Sequence, residues 1–279
     1  MRKFCFLLLA LPLVLNVTSC SQRKASPQST ELVVFAAASM TETMEQIAEL
    51  YKKKAPNVKL TYNFDSSGTL KTQIQEGAEC DVFISAGQRQ MDQLDSAASA
   101  SVNTEGLDFV LQGSRINFLE NKVTLCVPKD NPSGIKSFAD LADKLKNAMM
   151  PTPNILLAMG NSDVPVGQYT QRILKYFNLD EKQLANSGKI TYGSNVKEVT
   201  TQIAASSVSC GVVYCTDAFS AGLEIVDYAT VEMCGQVIYP AAVMKASKNP
   251  DAAKAFLEYL KTGEALAVFE KVGFTAAWR

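Results

Sequence analysis

Ser39 and Ser67 each stand where an apolar or alternating run gives way to a helical pattern. The strings are Phe35-Ala36-Ala37-Ala38-Ser39-Met40-Thr41 and Phe64-Asp65-Ser66-Ser67-Gly68-Thr69-Leu70. A third junction, Val164-Pro165-Val166-Gly167, repeats the geometry in the second half of the chain, with Pro favourable near a helix start and Gly permitting close backbone approach. A helix N-terminus presents unsatisfied N–H groups and the positive end of the helix dipole. A hydroxyl beside it makes an anion site without any formal positive charge. Taken singly, each serine also reads as an ordinary N-cap, and Gly77 and Pro165 as punctuation. Other chemistry is restricted. The chain has 0 histidines, so no Ser-His-Asp triad, no Cys-His dyad and no His-ligated zinc or iron site can be built. A serine nucleophile such as Ser39 would need a lysine base, and Lys71 is the only lysine close to a motif.

The elements that position these junctions are legible from periodicity. Leu32 to Ala38 is a short apolar run, read as a buried strand. Ser39-Met40-Thr41-Glu42 fits a capping box, and Met44, Ile47, Leu50 and Tyr51 follow at helical spacing until Pro56. Val58, Leu60, Tyr62 and Phe64 alternate with polar residues as a strand; Leu70, Ile74 and Gly77 mark a second helix, and Asp81 to Ser85 a third strand. This βαβαβ start predicts a mostly parallel sheet with helices on its faces. From about residue 123 the pattern repeats, with strands over 123–127, 155–159, 211–214 and 237–244. Helices are expected around Phe138–Leu145, from Val164-Pro165-Val166-Gly167 on through Ile173, Tyr176 and Phe177, and around Val196–Ile203, Ala252–Leu260 and Ala265–Val272. With 279 residues, 47% of them apolar, and roughly 150 residues per domain, the expectation is two α/β lobes.

Lys+Arg 27 balances Asp+Glu 28, which argues against nucleic acid as partner, because phosphate binding relies on clustered basic residues. Arg2 and Lys3 precede an apolar run from Phe4 to Val17, which ends in Thr18-Ser19-Cys20. That is a secretory signal over residues 1–19, too short to span about 30 Å of hydrocarbon comfortably. Val17-Thr18-Ser19-Cys20 resembles a bacterial lipobox, with Cys20 as the lipidated residue; a plain signal peptide cleaved near Ser19 is the alternative. Residues 20–31 then read as a polar tether containing Pro27. Of the remaining cysteines, Cys80, Cys126, Cys210, Cys215 and Cys234, most sit in apolar stretches and read as small buried hydrophobes. No disulfide framework and no thiolate metal site is expected from their number and spacing.

In order, the strings become more specific. The two serine junctions, Asp81-Val82-Phe83-Ile84-Ser85-Ala86 with Met91-Asp92, and Val164-Pro165-Val166-Gly167-Gln168-Tyr169 are followed by Gly211-Val212-Val213-Tyr214-Cys215-Thr216-Asp217-Ala218 and Val237-Ile238-Tyr239-Pro240 with Gly273-Phe274. Together they resemble the periplasmic molybdate-binding proteins of ABC importers over about residues 32 to 275. The resemblance implies an α/β, two-lobed periplasmic binding protein fold of type II, with the ligand in the interlobe cleft. Lobe 1 would comprise 32–118 and 216–279, and lobe 2 residues 119–215. It implies an oxyanion held by the hydroxyls of Ser39 and Ser67, the backbone amides of Val166 and Val196, and the phenol of Tyr214. The chain departs from the pattern at Gly68, where a third Ser is common, and at Cys215, where Gly is common. Molybdate and tungstate offer only acceptors at neutral pH, which a ring of neutral donors complements, and size would exclude sulfate. The implied protein is a monomeric, lipid-anchored, extracytoplasmic binding protein and not an enzyme. It serves an inner-membrane ABC permease and uses no cofactor and no direct metal ligands. Two other readings are a binding protein of the same fold for sulfate, phosphate or a carboxylate, and a lipid-anchored serine hydrolase.

Overall fold

The computed structural model describes residues 29–146 and 155–278. The leader expected over 1–19, Cys20 and the tether up to residue 28 lie outside the described residues. The last tether positions do not: β1 (Thr30–Ala37) already includes Thr30 and Glu31. A single 3-10 turn (Ala38–Met40) then leads into α1 (Thr41–Lys54). β2 (Val58–Asp65), α2 (Ser67–Gln75), β3 (Val82–Ile84), α3 (Gln88–Asp92) and β4 (Ile116–Asn121) complete the first passage through this lobe. The second lobe holds β5 (Val123–Val127), α4 (Phe138–Lys146), β6 (Leu157–Gly160), α5 (Pro165–Tyr176), α6 (Glu181–Asn186) and β7 (Ile190–Gly193). It continues with α7 (Val196–Ala204), β8 (Cys210–Tyr214), α8 (Cys215–Ala221), β9 (Glu224–Tyr228) and α9 (Val231–Cys234). The chain then returns through β10 (Val237–Val243), α10 (Pro250–Leu260), α11 (Gly263–Lys271) and β11 (Thr275–Ala276).

Two sheets result, with strand orders β11-β4-β10-β3-β1-β2 and β7-β6-β8-β5-β9. The expected parallel βαβαβ unit is present: β1 pairs in parallel with β2 and β3. The sheets are nevertheless mixed rather than mostly parallel. β10 runs antiparallel to both β3 and β4, and β5 antiparallel to β8 and β9. The reason is connectivity. A strand that enters a lobe directly from the other lobe has no crossover helix to reverse it, so it adds antiparallel.

Strand membership also corrects the lobe boundaries. The first crossing falls at Lys122, between β4 of one sheet and β5 of the other, rather than at 118/119. The return falls after β9 and α9, not at 215/216, because β9 pairs with β5 in the second sheet. β9 carries only half-buried or exposed side chains, so it lacks the apolar run that would announce it.

Alternation along β1 and β3 divides the first lobe's core. Val34, Ala36, Val82 and Ile84 face a core that is continuous with that of the second lobe. Phe35 and Phe83 face the opposite side, with Leu70, Ile74 and Met91 of the helices there. Cys80, Cys126, Cys210 and Cys234 are buried free thiols, and Cys215 is half-buried. Among the described residues no helix is long and apolar enough to cross a membrane.

Candidate functional site

The carboxyl ends of β1, β2, β6, β7 and β8 turn into helix starts, and these starts converge between the lobes. Residues Ala37 to Ser39, Asp65 to Ser67 and Ala86 of the first lobe meet Val164, Pro165, Val196 and Tyr214 of the second around a cavity of about 10 Å3. That is room for the centre of one water-sized sphere. Larger concavities exist, including one of about 680 Å3 lined by Thr30, Asp81 and Ser247, whose lining holds one helix start, at Asn249, the N-cap residue of α10. The small cavity is the place where unsatisfied N–H groups and dipole ends concentrate. Its lining contains no cationic side chain and one carboxylate, Asp65, which is half-buried and accepts a hydrogen bond from Ser66 N at 2.6 Å.

Ser67 is the first residue of α2 and is fully buried. Its Oγ accepts a hydrogen bond from Ala86 N at 2.9 Å, which leaves the hydroxyl proton free to point into the cavity. Ser66, one residue earlier, is the N-cap: its Oγ accepts from Thr69 N at 3.1 Å. The two neighbouring serines thus divide the work of donor and cap.

Ser39 does not cap its helix, and the expected Ser39–Glu42 capping box is absent. Ser39 lies inside the 3-10 turn, the N-cap of α1 is Met40, and no side chain caps it. Ser39 Oγ instead bonds Tyr239 Oη at 2.9 Å. Glu42 reaches across to the other lobe, where Lys197 Nζ lies 2.7 and 2.8 Å from its two oxygens. The hydrogen-bond partner of Ser39 Oγ is thus a phenol and not Lys71.

In the second lobe Val164 is the N-cap residue of α5 and Pro165 its first residue. The N–H of Val166 therefore lies in the first turn, where no intrahelical acceptor exists. Val166 itself is fully buried in the core, and the cavity is lined by Val164 and Pro165 beside it. Val196 starts α7 and lines the cavity; the Asn195 side chain caps this helix by accepting from Glu198 N at 3.2 Å. Tyr214 closes the ring. Its phenol donates to Ala86 O at 3.2 Å, so one residue of the first lobe, Ala86, is bound by Ser67 through its N–H and by Tyr214 through its carbonyl. Burial holds the Tyr214 and Tyr239 phenols well above their ordinary pKa, so both keep their protons at neutral pH.

Three residues that sequence reasoning did not single out belong to this arrangement. Tyr239 and Asn121 back Ser39, with Asn121 Nδ2 donating to Tyr239 Oη at 3.1 Å and to Thr216 Oγ1 at 3.0 Å. Asp217 is buried with neither carboxylate oxygen hydrogen-bonded, and Lys197 Nζ stands 3.6 Å away. Burial raises the Asp217 pKa to about 7 against the opposing pull of Lys197, with Glu42 adding to the rise. Tyr239 and Asp217 lie within quoted motif strings. Asn121 had no such signal, because its partners are 95 and 118 residues away.

The lobes touch closely beside the cavity. A Cβ on Gly68 would lie 2.3 Å from Asp163 O of the second lobe, and one on Gly87 would lie 3.2 Å from Pro165 Cβ. Cys215 Sγ donates to Asn121 Oδ1 at 3.2 Å at the crossing between lobes. Among the described residues no group of three or more Cys, Asp or Glu side chains is placed to hold a bare metal ion.

A family model described as bacterial extracellular solute-binding protein matches residues 32–275. A Bacillus subtilis protein described as an ABC transporter substrate-binding lipoprotein, YvgL, is 33% identical over 282 residues, covering 99% of each chain. The molybdate-binding protein ModA of Haemophilus influenzae is 31% identical over 250 residues, 89% of this chain and 91% of that one. The periplasmic molybdate-binding protein of Azotobacter vinelandii shares the fold with a TM-score of 0.70 at 22% identity, over 88% of this chain and 98% of the other. The two-lobed architecture, the helix starts gathered at its cleft and the match over residues 32–275 lead to one conclusion: the chain belongs to the bacterial extracellular solute-binding proteins.

Proposed function

We propose that this protein captures molybdate or tungstate outside the cytoplasmic membrane and delivers it to an ABC permease. The observation that carries the reading is the set of helix starts, with buried hydroxyl donors, around a small interlobe cavity that holds no cationic side chain. Such a site suits an anion that offers only acceptors, because its hydroxyls and helix-start amides can all donate to it and need no proton in return. Relatives with ModA names at about 30% identity support the same choice. In this reading the anion is held by Ser39 and Ser67 hydroxyls, the Val166 and Val196 amides and the Tyr214 phenol, whose proton turns from Ala86 O to the anion on binding, with no further cofactor. Parting of the lobes admits the ligand; closure expels water and completes the shell.

Asp65 favours a second reading. A carboxylate at the rim of the cavity suits an anion that brings its own proton, such as hydrogen phosphate, better than it suits sulfate. A thermal-shift panel separates the two. Micromolar molybdate and tungstate should raise the melting temperature, a ligand at 100 times its Kd adding about 2.7 kcal/mol. Stabilisation by phosphate alone would select the second reading. The lipobox-like Val17-Thr18-Ser19-Cys20 supports a lipid anchor on Cys20. Cys20→Ala should keep oxyanion binding and lose partition into detergent, and a variant that still partitions would place the anchor elsewhere.

A further inference from the structure

Asn121 ends β4 one residue before the chain crosses between lobes, and it does not line the cavity. Its amide orientation follows from chemistry. A main-chain N–H can only donate, so the Asn121 atom that accepts from Lys122 N at 2.8 Å is the oxygen. The NH2 group therefore faces Thr216 Oγ1 and Tyr239 Oη, one proton for each. Tyr239 is fully buried, and the acceptor in reach of its own proton is Ser39 Oγ. Turning that proton elsewhere would bury an unsatisfied donor. Ser39 Oγ is thus an acceptor from behind, and its own proton is left to enter the cavity.

We propose that Asn121 is a specificity-determining positioning residue: its amide sets the direction of the Asn121–Tyr239–Ser39 hydrogen-bond chain, so that Ser39 meets the ligand as a donor. The inference rests on the oxyanion reading above and adds the reason why the site accepts an anion without protons. A carboxylate of the same shape at position 121 would reverse the chain. It would take the Tyr239 proton, Tyr239 Oη would accept from Ser39, and Ser39 would turn lone pairs toward the anion.

The test is calorimetric titration of the mature protein with molybdate, with melting temperature and far-ultraviolet circular dichroism recorded for each variant. Asn121→Asp should weaken binding by about a hundredfold or more, and the uncharged Asn121→Ala by about tenfold, in line with loss of a hydrogen bond to a charged ligand. Tyr239→Phe alone should cost about threefold, because the Ser39 rotor is freed while its proton stays available. In either Asn121 background, adding Tyr239→Phe should restore binding, by about tenfold over Asn121→Asp, since no phenol remains to reverse Ser39. Simple charge repulsion would leave the Asn121→Asp loss intact in the double variant, and that result overturns the proposal. So does an Asn121→Ala variant that binds as tightly as wild type. A wild-type protein that binds no oxyanion fails one step earlier, before any variant is compared, and overturns the proposed function together with the inference.

Discussion

Replacing Gly68 by alanine puts a methyl carbon where the closed lobes leave no space for one. The Cβ would lie 2.3 Å from Asp163 O, 2.9 Å from Asp163 C and 2.9 Å from Asp163 Cβ, all on the second lobe and two of them main-chain atoms. Backbone cannot rotate aside as a side-chain tip can, so relief requires the lobes to part at this edge. An overpacked contact of this kind costs about 1–3 kcal/mol, which at about 1.4 kcal/mol per decade is a loss of about fivefold to 150-fold in affinity. The local helix responds in the opposite sense. Gly68 is the second residue of α2, where alanine is the better helix former by up to about 1 kcal/mol. Gly68→Ala should therefore bind molybdate more weakly while the ligand-free protein melts no earlier than wild type. Titration calorimetry and melting curves read the two effects, and small-angle scattering shows whether the liganded protein still compacts. A Gly68→Ala protein that binds and compacts like wild type would refute the reasoning. The same geometry accounts for the departure at this position: a serine would bring the same Cβ against Asp163.

Ser67→Ala should lower affinity by about tenfold to a hundredfold, the loss of a hydrogen bond to a charged ligand of about 1.5–3 kcal/mol. Ser66→Ala should instead lower stability by about 1 kcal/mol through loss of the α2 cap, with little change in affinity; the reverse pattern would show that donor and cap are misassigned. Tyr214→Phe removes the phenol that bonds Ala86 O across the lobes and should weaken binding about as much as Ser67→Ala, without loss of the ring packing. The folded-state pKa of Asp217, raised to about 7, exceeds its unfolded value of about 3.9, so the folded state binds more protons between these values. Stability should accordingly fall as pH rises from about 4 to 7 and level off above, and Asp217→Asn should flatten that slope in melting curves; parallel curves for the two proteins would contradict it.

The scaffold was readable wherever one residue pattern served one local purpose. The period-two run from Val58 to Phe64 became β2, and the run from Met44 to Tyr51 became the apolar face of α1. Val164-Pro165 opened α5 as the Pro position predicts. Reading failed where a residue's partner is distant. Ser39 and Glu42 have the spacing of a capping box, yet each is drawn to a partner far along the chain, Tyr239 and Lys197, which local spacing cannot announce. β4 and β9 were missed because their polar residues, Asn117 and Glu120 in one and Glu224 and Asp227 in the other, interrupt any apolar run. Without them the crossing points, and so the lobe boundaries and Asn121 at the first crossing, stayed hidden. Ser67 was placed correctly at a helix start, but its division of labour with Ser66 depends on Ala86 N, 19 residues away.

The central claim, that the cavity between the lobes selects a proton-free molybdate-type oxyanion, is tested most directly by competition dialysis. The mature protein is equilibrated with micromolar molybdate in millimolar sulfate and phosphate, and retained molybdenum is counted by mass spectrometry. One molybdenum per chain, displaced by tungstate and lost in Ser67→Ala, is the predicted result. Retention of no molybdenum, or its displacement by sulfate at equal concentration, would contradict the claim.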